Sequence, residues 1–413
     1  MTPGDLPEAA YAAALASLPG VGPAWLFEML GRHSPSRLWC LVGAGEVARP
    51  SSRRPRPAEA DWSRAANSTD VRGLWAYCAG LGIQVVWPGA SGYPAVLSHG
   101  PAPAGVIFIA GDAAVLEAGP AVAVVGTRRC TPEGASVAFQ LGYDLVAAGV
   151  GVVSGLALGI DGAAHAGALA ALADHTGAPG RYGSPIGVAA SGVDMPYPHQ
   201  HTALWREVVR AGAVLSETPP RRPAQAWRFP SRNRVIAGLA QMVVVVECHA
   251  SGGSWHTVDA ALRRGTEVGA VPGPVRGSAS VGTNMLLHEG AAPIRGAQDV
   301  LDALGMFEGP ARVPPRGRPA PRARPTRERT AGVAARLAVA AGPRRGPSQG
   351  GPGAGPGPLG TRVLGAVGWY PLCLEDIVER SGLPVAAVVI ALEALEEEGM
   401  VTAEAGWWCR RQG

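Results

Sequence analysis

The chain contains no lysine, so all 36 of its lysine and arginine residues are arginine. A phosphate-binding loop of the form G-x-x-x-x-G-K-[ST] uses its lysine to contact nucleotide phosphates. The absence of lysine therefore excludes nucleotide hydrolysis at a site of that type. The chain also has 58 glycines and 38 prolines, a composition that indicates codon bias in a GC-rich genome. Arginine as such is therefore weak evidence for function.

Cysteine is scarce, with six residues in 413 and no C-x-x-C spacing between any two of them. A zinc site or a disulfide framework needs paired, closely spaced cysteines. We therefore expect no bound metal and no other cofactor. The six are Cys40, Cys78, Cys130, Cys248, Cys373 and Cys409.

Long apolar runs are missing too. No stretch of 18 apolar residues occurs, and no charged start precedes an apolar leader. We therefore expect a soluble, cytoplasmic protein without membrane insertion. An apolar fraction of 47% over 413 residues is enough for a large core and for two or three domains.

Positive charge is concentrated in one segment near the C-terminus. Residues 309–358 hold ten arginines and one acidic residue, Glu328, which gives them a net charge of +9. Because the whole chain carries +4, the remaining residues sum to −5. A nucleic-acid site must therefore be a local patch rather than a property of the whole surface.

Residues 121–169 are the most informative segment. Two Val-rich runs each end in a glycine-containing turn and lead into an Ala-rich helical pattern, which predicts βαβ units of a parallel sheet. Backbone amides at such a turn, next to a helix N-terminus, bind anions. Arg128 and Arg129 follow the first turn and favour a polyanion with spaced phosphates, although ordinary surface arginines would give the same pattern.

Continuous Val-rich runs indicate strands that are covered on both faces of an α/β domain. We predict eight strands, at residues 85–87, 106–109, 122–125, 150–153, 186–190, 213–215, 242–246 and 268–271.

The flanking regions predict separate modules. Residues 1–70 begin with an Ala-rich helical pattern broken by a turn at residues 18–23, which is typical of a helix-hairpin-helix or of a plain helix–helix turn. Residues 306–358 predict a disordered linker rich in Pro, Gly and Arg. Residues 359–413 predict three helices and a hairpin in the outline of a winged helix. With four arginines against eight acidic residues, this module favours a protein contact over base reading.

Two further loops are predicted to follow strands. Residues 227–238 place three arginines around Phe229, a pattern that suits phosphate pairing and base stacking on a single strand. A loop whose aromatic ring closes the core beneath exposed arginines is the alternative. Residues 247–257 contain Gly-Gly-Ser and Thr257 at a helix start, which favours an anion. All these loops are expected to converge on one carboxyl edge of the sheet.

These segments resemble the DprA (Smf) family, bacterial DNA-processing proteins of natural transformation. The motif G-S-R-x-x-T-x-x-G corresponds to residues 126–134, S-G-x-A-x-G-I-D-x-x-A-H to residues 154–165, and F-P-x-R-N-R-x-I-A-G to residues 229–238. The resemblance covers residues 80–305. Thr127 replaces the usual serine, His201 stands where the family has asparagine, and residues 252–258 depart from the usual S-G-S-L-I-T-A loop.

The resemblance implies an α/β fold with an extended Rossmann-like, mostly parallel sheet, a small helical N-terminal domain and a C-terminal winged-helix domain. We place the sheet domain at residues 71–305, the helical domain at residues 1–70 and the winged-helix domain at residues 359–413, with the linker at residues 306–358. The resemblance also implies a protein that binds and protects single-stranded DNA, loads the RecA recombinase onto that DNA, and forms a homodimer. The implied nucleic-acid-binding residues are Gly126, Thr127, Arg128, Ser154, Gly155, Gly159, Arg228, Phe229, Arg232, Asn233, Arg234, Gly253, Ser254 and Thr257.

We expect no catalytic residues. Asp161 and His165 share one face of a helix and would suit acid–base catalysis, but helix capping by Asp161 and a hydrogen bond back from His165 explain them more simply. The competing enzyme class is a nucleoside-monophosphate phosphoribohydrolase. In this chain Glu247 precedes a glycine-containing loop, as such an enzyme would require, although the surrounding residues match that class poorly. The serines lie in no nucleophile-elbow context.

Overall fold

We describe the protein from a computed structural model, which covers residues 6–47, 62–175, 182–306, 358–367, 372–404 and 407–410. The predicted linker lies outside these ranges over residues 307–357. The Pro- and Arg-rich stretch at residues 49–57 lies outside them as well.

One nine-stranded sheet forms the centre of the described molecule. Its spatial order is β1-β2-β6-β5-β4-β3-β7-β8-β9, in which β1, β2 and β6 pair antiparallel and all other neighbours pair parallel. The strands are β1 Gln84–Val86, β2 Ile107–Gly111, β3 Ala121–Val125, β4 Gly151–Ser154, β5 Pro185–Val188, β6 Ala213–Ser216, β7 Met242–Val245, β8 Glu267–Ala270 and β9 Ala292–Pro293.

The eight predicted strands are confirmed, each within two residues of its observed bounds. The sequence missed β9, a two-residue strand at the edge of the sheet that ends in Pro293. So short a segment has no periodicity to detect, and proline inside a strand argues against one.

In the ranges that the structure describes, twelve helices surround the sheet or precede it. They are α1 Glu8–Ser17, α2 Pro23–Leu30, α3 Pro35–Gly43, α4 Trp62–Ser68, α5 Val71–Gly80, α6 Pro132–Ala147, α7 Ile160–Asp174, α8 Thr202–Ala211, α9 Arg228–Leu239, α10 Gly253–Arg264, α11 Val281–His288 and α12 Ala297–Ala303. None of the helices in the described ranges is both long and apolar enough to cross a membrane.

Alternate residues of the central strands enter two different cores. Val122 and Val124 of β3 pack with α6, α7 and α12, whereas Ala123 and Val125 pack with α9, α10 and α11. Side chains of a strand point to opposite faces in turn, so a strand with valine or alanine at every position is buried on both sides. The fold class predicted from the Val-rich runs is confirmed.

The N-terminal helices share a core with one end of the sheet. Leu15, Trp25 and Leu38 belong to the same buried cluster as Phe108 of β2 and Val214 of β6. A Cβ on Gly105 would lie 2.7 Å from the Leu26 Cβ, which shows how closely α2 approaches the start of β2. The turn at residues 18–22 connects α1 to α2.

The C-terminal residues form a unit with its own core. Its helices are α13 Pro358–Ala366, α14 Leu374–Ser381 and α15 Val385–Glu397, and its sheet has the order β10-β12-β11. The strands are β10 Leu372–Cys373, β11 Val401–Glu404 and β12 Trp407–Arg410. Three helices followed by a hairpin give the winged-helix outline that the sequence predicts.

Candidate nucleic-acid interface

Three turns meet at the carboxyl edge of β3, β4 and β7. The Thr127 amide donates to the Glu247 carbonyl at 2.8 Å, and the Ile160 amide donates to the Thr127 carbonyl at 3.3 Å. Gly159 has φ of +80°, and a Cβ there would lie 2.4 Å from the Thr127 carbonyl oxygen. The convergence of the turns that is expected for parallel strands is therefore observed. Position 159 requires glycine, because its φ is positive and because a Cβ would collide with the Thr127 carbonyl.

Gly126 and Gly155 also permit close packing within the protein. A Cβ on Gly126 would lie 2.6 Å from the Ile160 Cγ1, and one on Gly155 would lie 2.6 Å from both Arg232 Nη2 and Asp161 Oδ2. The family resemblance implies that both glycines are nucleic-acid-binding residues. In the structure the atoms that require them are protein atoms beneath the edge of the sheet.

A cleft opens above these turns. Four of its lining residues belong to the predicted site: Arg128, Gly155, Phe229 and Arg232. Five others were not among the predicted site residues: Ala157, Leu158, Ala190, Tyr197 and Pro198. Tyr197 and Pro198 begin the family motif Y-P-x-x-N, in which His201 takes the asparagine position, and that motif was the available signal for them.

Phe229 is the centre of the cleft. Its ring is half-buried, and the Arg128 guanidinium carbon lies 4.9 Å from the ring centroid. The ring of Tyr197, which is 42% exposed, lies 5.6 Å away at an interplanar angle of 52°. An aromatic pair beside an exposed arginine offers a surface for a flat ring and a partner for a phosphate.

Residues 228–239 form helix α9 rather than the predicted loop. The Pro and Arg content suggested a loop, but Pro230 lies in the first turn, where a missing amide proton breaks no helical hydrogen bond. On this helix Arg228 and Arg232, which are four residues apart, lie on one face, whereas Arg234 lies on another. The three arginines that the sequence grouped around Phe229 therefore differ in accessibility, since Arg232 is buried whereas Arg228 and Arg234 are half-buried.

Arg232 is buried, with 7% of its surface exposed. Its Nη1 donates to the Gly155 carbonyl at 2.6 Å and to the Val188 carbonyl, and its Nε donates to Asn233 Oδ1 at 3.1 Å. Burial lowers the pKa of Arg232 to about 10, with Asp161 acting in the opposite direction. Arg232 therefore joins the ends of β4 and β5 at the floor of the cleft, and little of its surface is left for a phosphate.

The next two residues of the motif also contact protein atoms. Arg234 pairs with the Glu217 carboxylate at 2.6 Å and donates to the Ala102 carbonyl at 2.8 Å, on another face of α9. Asn233 Nδ2 donates to the Gly253 carbonyl at 3.1 Å. These side chains hold neighbouring loops in place, a role that motif spacing does not reveal.

Three predicted hydroxyl ligands are buried. Ser154 Oγ donates to the Val124 carbonyl at 2.7 Å and has no exposed surface. Ser254 and Thr257 lie in the first turns of α10 with 9% and 2% of their surface exposed, whereas Gly253 before them is exposed. The amphipathic position of these residues on α10 turns their hydroxyls inward.

Asp161 and His165 lie beneath the cleft. Asp161 Oδ2 accepts from the Gly155 amide at 3.0 Å, and burial raises the pKa of Asp161 against the effect of Arg232. His165 is completely buried, which lowers its pKa to about 4. Within the described residues neither nitrogen of its ring makes a hydrogen bond, so the predicted bond from His165 back to Asp161 is absent.

His201 occupies the position where the family motif has asparagine. Its Nδ1 lies 2.9 Å from the Leu156 carbonyl oxygen, within hydrogen-bond distance. A Cβ on Gly162 would lie 2.4 Å from the His201 Cε1, so the imidazole packs directly on the first turn of α7. His201 therefore makes a polar contact to the turn after β4.

Glu247 stabilises the start of α6. Its carboxylate accepts from the Thr131 amide at 2.9 Å and from Thr131 Oγ1 at 2.5 Å, while Thr131 Oγ1 accepts from the Gly134 amide at 3.0 Å. Only 8% of Glu247 is exposed. A negative charge at a helix N-terminus is favourable. The carboxylate on which the phosphoribohydrolase alternative depends is thus bound within the protein.

Cationic side chains border the cleft. Arg128 and Arg129 are exposed. Arg228 is half-buried, with Nη1 donating to the Pro223 carbonyl at 3.2 Å and its guanidinium carbon 4.9 Å from the Trp227 ring centroid. In the described ranges no group of three His, Cys, Asp or Glu side chains could hold a metal ion.

Comparison with known proteins identifies relatives of this chain. Residues 84–305 match the family model of DNA recombination-mediator protein A, and residues 347–406 match that of the DprA winged helix domain. A protein of Mycobacterium tuberculosis, named as a DNA processing protein DprA, is 42% identical over 202 residues, which are 48% of this chain and 49% of that protein. The match thus spans about half the length of that relative.

Two further comparisons extend the match. The DNA processing protein DprA of Bacillus subtilis is 36% identical over 223 residues, 54% of this chain and 72% of that protein. The X-ray structure of DNA processing protein A from Streptococcus pneumoniae aligns with a TM-score of 0.58 and 27% identity. That alignment covers 74% of this chain and all of the other.

Proposed function

This chain belongs to the DNA recombination-mediator protein A family, and from that premise we propose that it binds single-stranded DNA in the cleft around Phe229. The observation that carries the proposal is the packing of Arg128 and Tyr197 on the Phe229 ring at the carboxyl edge of the sheet. This arrangement combines a phosphate partner with a stacking surface.

The geometry favours a single strand over a duplex. Base–aromatic stacking on Phe229 requires an unpaired base whose face is accessible, and a base inside a duplex does not offer its face without opening. Arg128 at the cleft and Arg228 beside it would pair with successive phosphates. The described residues that line the cleft include no Asn, Gln, Asp or Glu, the side chains that read adenine and cytosine edges, so we expect little sequence preference.

The experiment is a fluorescence anisotropy titration of a labelled oligothymidine against increasing salt. Arg128→Ala should weaken binding and reduce the slope of log K against log salt by about 0.7, the value for one phosphate contact on a single strand. Arg263→Ala is the matched control, because Arg263 is exposed in the last turn of α10, at the opposite edge of the sheet.

A second variant tests stacking. Phe229→Ala should weaken binding by about 1–3 kcal/mol without changing the salt slope, because it removes a ring and no charge. Phe139→Ala on α6 is the control, since Phe139 is an exposed aromatic residue away from the cleft. Unchanged affinity in both Arg128→Ala and Phe229→Ala would refute the cleft as the binding site.

The family resemblance supports a wider role. We propose that the protein protects incoming single strands and loads RecA onto them in the cytoplasm, as a homodimer and without catalysing a reaction itself. Two linked strand sites would raise the effective concentration of each strand. A strand-exchange assay with RecA and DNA covered by single-strand-binding protein tests the loading role, since no stimulation by the protein would contradict it.

We also propose that the strand-binding part is residues 71–305. The acidic winged-helix part, residues 359–413, would then serve protein contacts rather than base reading. Its net negative charge disfavours phosphate contacts.

A further inference from the structure

Three side chains join α5 to the loops that follow β5 and β6. The Tyr77 hydroxyl donates to Asp194 Oδ2 at 2.9 Å. The Arg221 amide donates to both carboxylate oxygens of Asp194, at 3.1 and 2.9 Å. The Arg221 guanidinium carbon lies 3.7 Å from the Tyr77 ring centroid. We call Tyr77, Asp194 and Arg221 the Tyr77 cluster.

The backbone around this cluster is tightly constrained. Arg221 has φ of +63°, a left-handed conformation that non-glycine residues rarely adopt. A Cβ on Gly192 would lie 2.5 Å from Asp194 Oδ1 and 2.7 Å from the Pro219 carbonyl oxygen. Such a conformation persists only where surrounding contacts hold it. The contacts present are those of the Asp194 carboxylate.

The loop that contains Asp194 forms one wall of the cleft. The Gly192 amide donates to the Arg222 carbonyl at 2.9 Å, and the Met195 amide donates to the Gly192 carbonyl at 2.9 Å. Ser191 Oγ donates to the Met195 carbonyl at 2.7 Å. Tyr197 follows three residues after Asp194 and packs on Phe229.

We infer that Tyr77, Asp194 and Arg221 are positioning residues, through which helix α5 sets the place of Tyr197 in the cleft and thereby the affinity of the cleft for single-stranded DNA. The inference rests on the proposed function, since it concerns the same cleft. None of the three side chains is needed as a DNA contact. Their effect passes through the loop at residues 191–198.

The chemistry of the cluster suits this role. Burial and the neighbouring Asp194 raise the pKa of Tyr77, so its hydroxyl keeps its proton and remains a donor at neutral pH. A hydrogen bond to an ionised acceptor is stronger than one between neutral groups. The stacked guanidinium of Arg221 adds a second attachment to the same ring.

Tyr77→Phe is the sharpest test, because it removes one hydroxyl and leaves the ring under Arg221. The matched control is Tyr143→Phe, in which a tyrosine of α6 also loses a bond to an aspartate, from its hydroxyl to Asp174 Oδ2 at 3.1 Å. The first measurement needs no DNA. Hydrogen exchange at the Gly192 and Met195 amides should become about tenfold faster in Tyr77→Phe and stay unchanged in Tyr143→Phe.

The second measurement is oligothymidine affinity against salt. Tyr77→Phe should weaken binding about 2- to 30-fold with an unchanged salt slope, because no phosphate contact is lost, whereas Arg128→Ala changes both. In a Tyr197→Ala background the same substitution should change affinity by less than about twofold, since the coupling passes through Tyr197. Asp194→Asn should reproduce the Tyr77→Phe pattern.

The outcomes separate the two proposals. Wild-type exchange at Gly192 and Met195 in Tyr77→Phe, wild-type affinity in that variant, or an undiminished effect in the Tyr197→Ala background would each overturn the positioning role. A wild-type protein that fails to bind the oligonucleotide would instead refute the proposed function, and the exchange result would still decide whether the cluster holds the loop.

Discussion

Replacing Arg232 should damage the fold rather than remove a phosphate contact. The side chain is buried, and its Nη1 satisfies the carbonyls of Gly155 and Val188 at the ends of two neighbouring strands. Arg232→Ala leaves both carbonyls without that donor. It also removes the cation that favours the ionised form of buried Asp161.

The size of the effect follows from these contacts. Each hydrogen bond to a charged group contributes about 1.5–3 kcal/mol, and removing one partner of a buried charge pair costs about 3–5 kcal/mol. These terms overlap because they describe the same guanidinium. We therefore expect Arg232→Ala to lower the free energy of unfolding by about 3–5 kcal/mol, a large share of the stability of an ordinary domain.

The assay is urea unfolding followed by tryptophan fluorescence, with the midpoint and the slope fitted separately. Arg128→Ala is the control, because Arg128 is exposed and its loss should change the free energy of unfolding by less than about 0.5 kcal/mol. If Arg232→Ala kept wild-type stability while losing as much DNA affinity and salt slope as Arg128→Ala, the assignment of Arg232 beneath the cleft would be refuted.

Three further predictions concern stability, domains and assembly. Because burial lowers the pKa of His165 to about 4 from the usual 6.5, the unfolded chain binds a proton that the folded chain does not, so stability present above pH 6.5 should fall by about 3 kcal/mol as the pH approaches 4. Unfolding of His165→Leu across this range should lack that loss of stability, and equal pH profiles for the two proteins would contradict the prediction. Asp161 has the opposite effect on stability as the pH falls, and the comparison cancels this effect because both proteins contain Asp161. Removing residues 307–413 should leave a folded protein that still binds oligonucleotide, and complete loss of binding would show that the winged helix contacts DNA. Sedimentation at micromolar concentration should show a dimer, whereas a monomer that binds DNA tightly would rule out dimer-dependent loading.

The sequence allowed the fold to be predicted well because its signals are local. Val-rich runs between glycine turns predict strands buried on both faces, and all eight predicted strands occur. The convergence of the turns at residues 126–131 and 155–159 follows from parallel strand direction alone. Motif spacing likewise identified Arg128 and Phe229, which meet in the cleft.

What the sequence by itself determined about this protein is therefore its sheet, its family and the edge on which its site lies. Only the tertiary structure decided which motif residues reach that site. Arg128 and Arg232 have the same side chain, yet one is exposed and the other bonds to two buried carbonyls. The hydrogen bond between Tyr77 and Asp194, which lie 117 residues apart, also depends on packing. Burial and long-range hydrogen bonds arise only when distant segments meet, and no local pattern encodes them.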